Sequence, residues 1–514
     1  MSAAPRIRRL IAVTGVVVTL AALAGCAFKV DVAPSPTRSA EPDTTGISEE
    51  LLPFYGQELS WNSCGTGLDC TTVTAPLDWN NPSAGEIDLA VVRHLATDGE
   101  PLGSLLTNPG GPGASGVALI RDSLSFAVGD ALQNDYDVIG FDPRGVGESS
   151  AVRCFDAPDM DRYLFDIPTG TRGSAEWNSQ LEARNATFAQ ACEANSDGIL
   201  QFITTEQSAR DMDLLRGVLG DEKLNYLGYS YGTFLGATYA QLFPERVGRL
   251  VLDGAIDPET SQLDVSTTQG IGFESALRAY MASCLQGSDC PFTGTVDDGM
   301  ADLSTLLASA DRNPLPNADG RRMGADSMMT AIIAALYSQD SWSYLTTALS
   351  DALQGDPSVA FQLADFYYNR SGGAYSDNST EAFIAYNCMD YPDDATPEQE
   401  AASKALLAER APTVAPYWSS DVDSCASWPF PPSGERKALT AQGAAPIVVI
   451  GTTNDPATPY DWSVALADQL ASGVLITRVG EGHTGYNKGN TCVDDAVEAY
   501  FVDGTVPQDG LRCE

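Results

Sequence analysis

Gly228-Tyr229-Ser230-Tyr231-Gly232 is the one Gly-x-Ser-x-Gly in the chain. Five residues of this kind can be a plain turn, but here Leu224–Leu227 reads as a strand before them and residues 233–243 read as a helix after them. A serine in such a strand–turn–helix setting projects its hydroxyl above a sheet, and small neighbours are needed because the turn is strained and crowded. A serine hydroxyl needs a base, and an imidazole base needs an orienting carboxylate. There are two histidines to choose from, His94 and His483. His94 precedes the serine, lies in an alternating strand and reads as a half-buried strand residue. His483, in Gly482-His483-Thr484-Gly485, follows the strand 474–479 and is expected to be the base. Asp455, after the strand 446–450, completes the chain order Ser, Asp, His that this setting demands, with Asp253 as the rival acid. The developing oxyanion needs backbone donors. They are expected from Gly111, in Asn108-Pro109-Gly110-Gly111-Pro112-Gly113, and from Tyr231. The same glycine-rich loop lacks the Lys-Ser/Thr ending of a phosphate loop.

Short apolar segments at 102–106, 136–141, 224–227, 249–252, 446–450 and 474–479 would position these groups. They alternate with loops and helices, the pattern of an α/β fold with a mostly parallel sheet and helices on both faces. Two alternating runs, 72–75 and 86–95, add a strand–turn–strand unit. Between about 260 and 440 the alternation gives way to helical patterns, for example 328–336 and 359–368. The expected organisation is therefore a core over 51–258 and 441–514, with a helical cap inserted at 259–440.

Composition narrows the function. The 514 residues carry 29 Lys plus Arg against 69 Asp plus Glu, a net charge of −40. Broad contact with nucleic acid phosphates is excluded on charge, and the same charge argues against binding anionic lipid through basic residues. Two histidines cannot build a multi-histidine metal site, and no Cys-x-x-Cys is present, so no metal is expected. Arg6, Arg8 and Arg9 precede an apolar run at 10–24, too short to span a membrane and fitting a signal peptide over 1–25. The run ends in Leu23-Ala24-Gly25-Cys26, which resembles the lipobox of bacterial lipoproteins. That resemblance implies cleavage before Cys26, lipidation of its thiol and anchoring at the outer face of the cell membrane. The Pro-rich stretch 26–50 reads as a flexible tether. Ten cysteines remain, an even number that in an exported chain reads as five disulfides. The sequence leaves the connectivity open. Pairing of neighbours is simplest: Cys64–Cys70, Cys154–Cys192, Cys284–Cys290, Cys388–Cys425 and Cys492–Cys513.

Pro109 to Gly113 resembles the HGGPG loop of prolyl aminopeptidases, and 142–149 (DPRGVGES) resembles their DxRGxGxS segment. With GYSYG at 228–232, DPATP at 455–459 and GHTG at 482–485, the chain looks like a secreted tripeptidyl aminopeptidase-like α/β-hydrolase. Pro109 stands where prolyl aminopeptidases have His, which points to the tripeptidyl branch. The resemblance implies hydrolysis of peptides from a free N-terminus with no cofactor, and the chain is expected to act as a monomer. A carboxylate of the cap would hold the substrate amine, with Asp390 and Glu381 as candidates. A small ester is the alternative substrate, since fold does not fix function. A non-catalytic envelope-binding lipoprotein is the third possibility.

Overall fold

The computed structural model describes residues 40–392, 395–418 and 422–514. Residues 1–25, Cys26 and the tether up to residue 39 lie outside the described residues. From Ala40 on, the stretch expected as tether instead runs along the helix Thr205–Val218. Asp43 donates its N–H to Gly217 O (2.8 Å) and pairs with Arg216 (2.8 Å), and Ile47 packs on the core.

Ten strands among the described residues form one sheet. They are β1 (Asn62–Gly65), β2 (Leu68–Pro76), β3 (Glu86–His94), β4 (Ser104–Asn108), β5 (Asp137–Phe141), β6 (Leu224–Tyr229), β7 (Val247–Asp253), β8 (Ile447–Asn454), β9 (Gly473–Glu481) and β10 (Leu511–Cys513). The order is β1-β2-β3-β5-β4-β6-β7-β8-β9-β10. β1, β2, β3 and β5 pair antiparallel; from β5 onward every pairing is parallel. Every residue of β4 and β5 is buried, as a parallel sheet covered on both faces requires. Side-chain alternation divides these strands between two cores. Leu106, Ile139, Tyr226, Leu252 and Val449 face one, while Leu105, Val138, Leu227, Val251 and Val448 face the other.

Between β7 and β8 the chain is largely helical and builds a third core of its own, around Phe273, Leu277, Leu303, Met328, Ile332, Leu345 and Phe361. Sequence patterning missed one contributor to it. Phe165, from the excursion between β5 and β6, is buried in the insertion's core and not in the sheet's. Three arginines fasten the two stretches: Arg370 to Asp161 (2.7 Å), Arg321 over Phe165, and Arg172 to Asp311 (2.7 Å) and Asp326 (2.8 Å). The insertion helix Ser379–Asp390 does the reverse. Its Ala382, Ala385 and Tyr386 belong to the sheet's core.

The five disulfides join neighbours in sequence, Cys64–Cys70, Cys154–Cys192, Cys284–Cys290, Cys388–Cys425 and Cys492–Cys513. Such bonds persist in oxidising compartments, and the chain is an exported protein. No helix among the described residues is long and apolar enough to cross a membrane.

Candidate active site

Ser230, Asp253, Asp455 and His483 lie at or just beyond the C-terminal ends of β6, β7, β8 and β9, four adjacent parallel strands. In open α/β sheets this edge is where ligands bind. His94 ends β3 beside Val138 at the start of β5, which puts it at the opposite edge. It is half-buried and its pKa is lowered by burial, as a strand histidine's would be.

Ser230 joins β6 to the helix Tyr231–Leu242 with φ 54° and ψ −124°. A left-handed φ in a residue with a Cβ costs about 1–3 kcal/mol and persists only where the surroundings enforce it. They do. Ser230 N–H donates to Asp253 O (2.9 Å), Thr233 N–H to Ser230 O (2.8 Å), and Tyr226 Oη–H to Gly232 O (2.8 Å). A Cβ on Gly228 would lie 2.5 Å from Gly232 O, so the turn closes only with glycine there. Gly110 presses on the same turn: its Cβ would sit 2.8 Å from Ser230 Cβ and 3.0 Å from Tyr231 N. The N–H of Gly110 is taken by Asn108 Oδ1 (2.9 Å), whereas the N–H groups of Gly111 and Tyr231 have no partner among the described residues.

Asp455 Oδ2 and Oδ1 lie 2.8 and 2.9 Å from His483 Nδ1. The carboxylate also accepts the N–H groups of Ala457 (3.0 Å), Thr458 (2.9 Å) and Thr484 (3.1 Å), and the Thr458 hydroxyl (3.1 Å). Asp455 thus grips both its own turn and the histidine's. Asp253, the rival acid, is fully buried and accepts the N–H groups of Gly485 (2.8 Å) and Tyr486 (2.8 Å). It braces the loop behind His483, and burial pushes its carboxyl up to about 6. His483 Nε2 is buried and makes no hydrogen bond among the described residues, Ser230 Oγ included. Catalytic hydrogen bonds of free enzymes are often long and tighten only around substrate.

The helix Ser379–Asp390 lies over the glycine loop, since a Cβ on Gly113 would meet Ser379 O at 2.8 Å and Ala382 Cβ at 2.9 Å. It carries both carboxylates expected for a substrate amine. Asp390 is not open to one. It is buried, and its oxygens are engaged by the N–H (2.9 Å) and hydroxyl (2.6 Å) of Thr205, whose hydroxyl also meets Tyr231 Oη. Its place is structural, beside the turn at Ser230. Glu381 is buried too, but its side chain bonds only its own backbone amide, and desolvation pushes its carboxyl up to about 7. Among the described residues no group of three His, Cys, Asp or Glu side chains is arranged to hold a metal. Sequence reasoning did not single out Thr458, which lies within DPATP, or Tyr337, whose carbonyl accepts His483 N–H at 2.9 Å. No motif signals the latter.

Residues 411–513 match the model of the family described as TAP-like protein. Over nearly their whole lengths, three proteins are similar. Serine protease Hip1 of Mycobacterium tuberculosis is 34% identical over 91% of this chain and 93% of its own. Carboxylesterase B of the same organism is 37% identical, over 92% and 95%. Tripeptidyl aminopeptidase of Streptomyces lividans is 28% identical, over 93% and 90%.

Proposed function

Because the chain belongs to the family of serine α/β-hydrolases that includes serine protease Hip1 and carboxylesterase B, we propose that Ser230, His483 and Asp455 are its catalytic residues and that it releases short peptides from free N-termini. The observation that carries this reading is the two-oxygen grip of Asp455 on His483 Nδ1, across the adjacent ends of β8 and β9, at the same sheet edge as Ser230 at the end of β6. Ser230 Oγ attacks the scissile carbonyl while His483 Nε2 takes its proton. The N–H groups of Gly111 and Tyr231 receive the oxyanion. Collapse breaks the C–N bond as His483 returns the proton to the leaving amine. Water, deprotonated by His483, then cleaves the acyl-enzyme to free Ser230 and the peptide acid. Asp455 keeps the Nδ1 proton in place and stabilises the imidazolium. No step requires a cofactor.

Glu381 is the residue proposed to hold the substrate's α-ammonium. A free tripeptidyl amide is then turned over, and N-acetylation lowers its kcat/KM by about 100-fold, the scale of losing a desolvated charge pair. Burial leaves Glu381 neutral below about 7 and anionic above it. Cleavage of the free peptide therefore rises with pH through about 7, beyond any rise shared with an ester substrate. Glu381→Gln removes that extra rise and leaves ester turnover unchanged. Indifference to N-acetylation would make the second reading, an esterase like the 37% identical carboxylesterase B, the better one.

Lipid on Cys26 is proposed from Leu23-Ala24-Gly25-Cys26. The chain expressed with its leader partitions into the detergent phase of a Triton X-114 separation, and Cys26→Ser moves it to the aqueous phase. Aqueous partition of the unaltered chain would refute the anchor.

A further inference from the structure

Tyr337 follows the helix Ala325–Leu336 and belongs to the insertion, not to the sheet. It nevertheless meets the histidine with both its backbone and its ring. Its carbonyl accepts His483 N–H at 2.9 Å, and Gly482 passes so near that a Cβ there would lie 3.0 Å from the same oxygen. Its ring stands across the imidazole, centroids 5.3 Å apart and planes at 86°. Its hydroxyl hydrogen-bonds Tyr367, which is partly exposed and whose ring lies 6.3 Å from that of Tyr337. The sheet side grips His483 differently. Asp455 holds Nδ1 and the N–H of Thr484, and Asp253 holds those of Gly485 and Tyr486. These bonds fix one edge of the imidazole and the loop after it. Thr458 Oγ1 lies 3.3 Å from the same Nδ1, and Gly254 passes so near that a Cβ there would lie 3.1 Å from Cε1. Nε2, however, has no hydrogen bond among the described residues, and the ring stands against Tyr337 on the insertion side.

Resting on the catalytic assignment above, we propose that Tyr337 is a positioning residue that holds the His483 ring at the tilt proton transfer requires. The insertion thereby sets turnover as well as substrate access. What matters is the ring wall; the phenol oxygen serves only to brace it against Tyr367. A tilt that moves Nε2 by about 1 Å costs on the order of 10- to 100-fold in rate.

The test uses the full chain, a small p-nitrophenyl ester, a fluorophosphonate probe and a thermal melt. Tyr337→Phe keeps the ring and retains kcat within about 3-fold of the unaltered chain, while Tyr337→Leu and Tyr337→Met lose about 10- to 100-fold in kcat with KM within about 2-fold. The rate of fluorophosphonate labelling falls in the same proportion as kcat. Two ring-less variants guard against one that fails to fold, and melts identify it. Wild-type kcat and labelling in a folded ring-less variant overturn the proposal. So does a loss seen mainly in KM, or one equally large in Tyr337→Phe. An unaltered chain that the probe does not label refutes the catalytic assignment itself, and is told apart because the variants are not needed to see it.

Discussion

Ser230→Ala is expected to lower kcat by about 10⁶-fold and to abolish fluorophosphonate labelling, with the melt little changed. The size follows from the chemistry. Without Oγ there is no acyl-enzyme, and the remaining route is direct attack by water, helped only by the oxyanion donors and by binding. Serine-to-alanine removes one oxygen from a half-buried position that no hydrogen bond to Oγ holds. The strained φ of 54° remains, because it is imposed by Ser230 N–H on Asp253 O and by the packing of Gly110 against the turn. The core should therefore not notice the change. Labelling that survives in the alanine variant would mean the probe reacts elsewhere and that Ser230 is not the nucleophile.

Asp455→Asn is expected to cost about 10⁴-fold in kcat. An amide facing His483 Nδ1 presents a donor on one side, so the imidazole turns its Nδ1 into an acceptor and its Nε2–H toward the serine, the wrong tautomer for a base. The comparison that gives this meaning is Asp253→Asn. Asp253 touches no ring nitrogen; it accepts only the N–H groups of Gly485 and Tyr486. An asparagine oxygen can still accept from both, so the loop survives and kcat falls by no more than about 10-fold. If the two variants fall together, Asp253 shares the acid's role and the assignment of Asp455 alone is wrong.

The strand ends carrying these residues were legible because each is announced locally. An apolar strand, a glycine-bounded turn and a polar residue recur at 224–232, 446–455 and 474–483. The chain order of this fold favoured Asp455 over Asp253, and in the structure Asp455, not Asp253, lies 2.8 and 2.9 Å from His483 Nδ1. The cysteine connectivity stayed open in the sequence, and pairing of neighbours, its simplest solution, is what the structure holds. What patterning missed was tertiary. Asp390 and Glu381 look alike on one helix, and only the approach of Thr205, remote in sequence, separates the carboxylate engaged by a neighbouring element from the one bonded to its own backbone amide. Residues 40–50 read as tether from their prolines and acids nearby, yet an ion pair from Asp43 to Arg216 fastens them. Tyr337 ends an ordinary amphipathic run, and nothing in that run records that His483 waits beyond it. β1 and β10 were passed over as well, since strands of four and three residues carry too few alternations to be seen.

Phe165 gives the insertion a boundary that the linear sequence conceals. A designer wishing to exchange specificity with a relative would cut at 259 and 440 and transplant that segment alone. The graft would arrive with a socket shaped for an absent ring, and Arg321 and Arg370 would reach for partners left behind on the donor. The unit of exchange is two chain stretches, the second being the excursion that Cys154–Cys192 closes at its base.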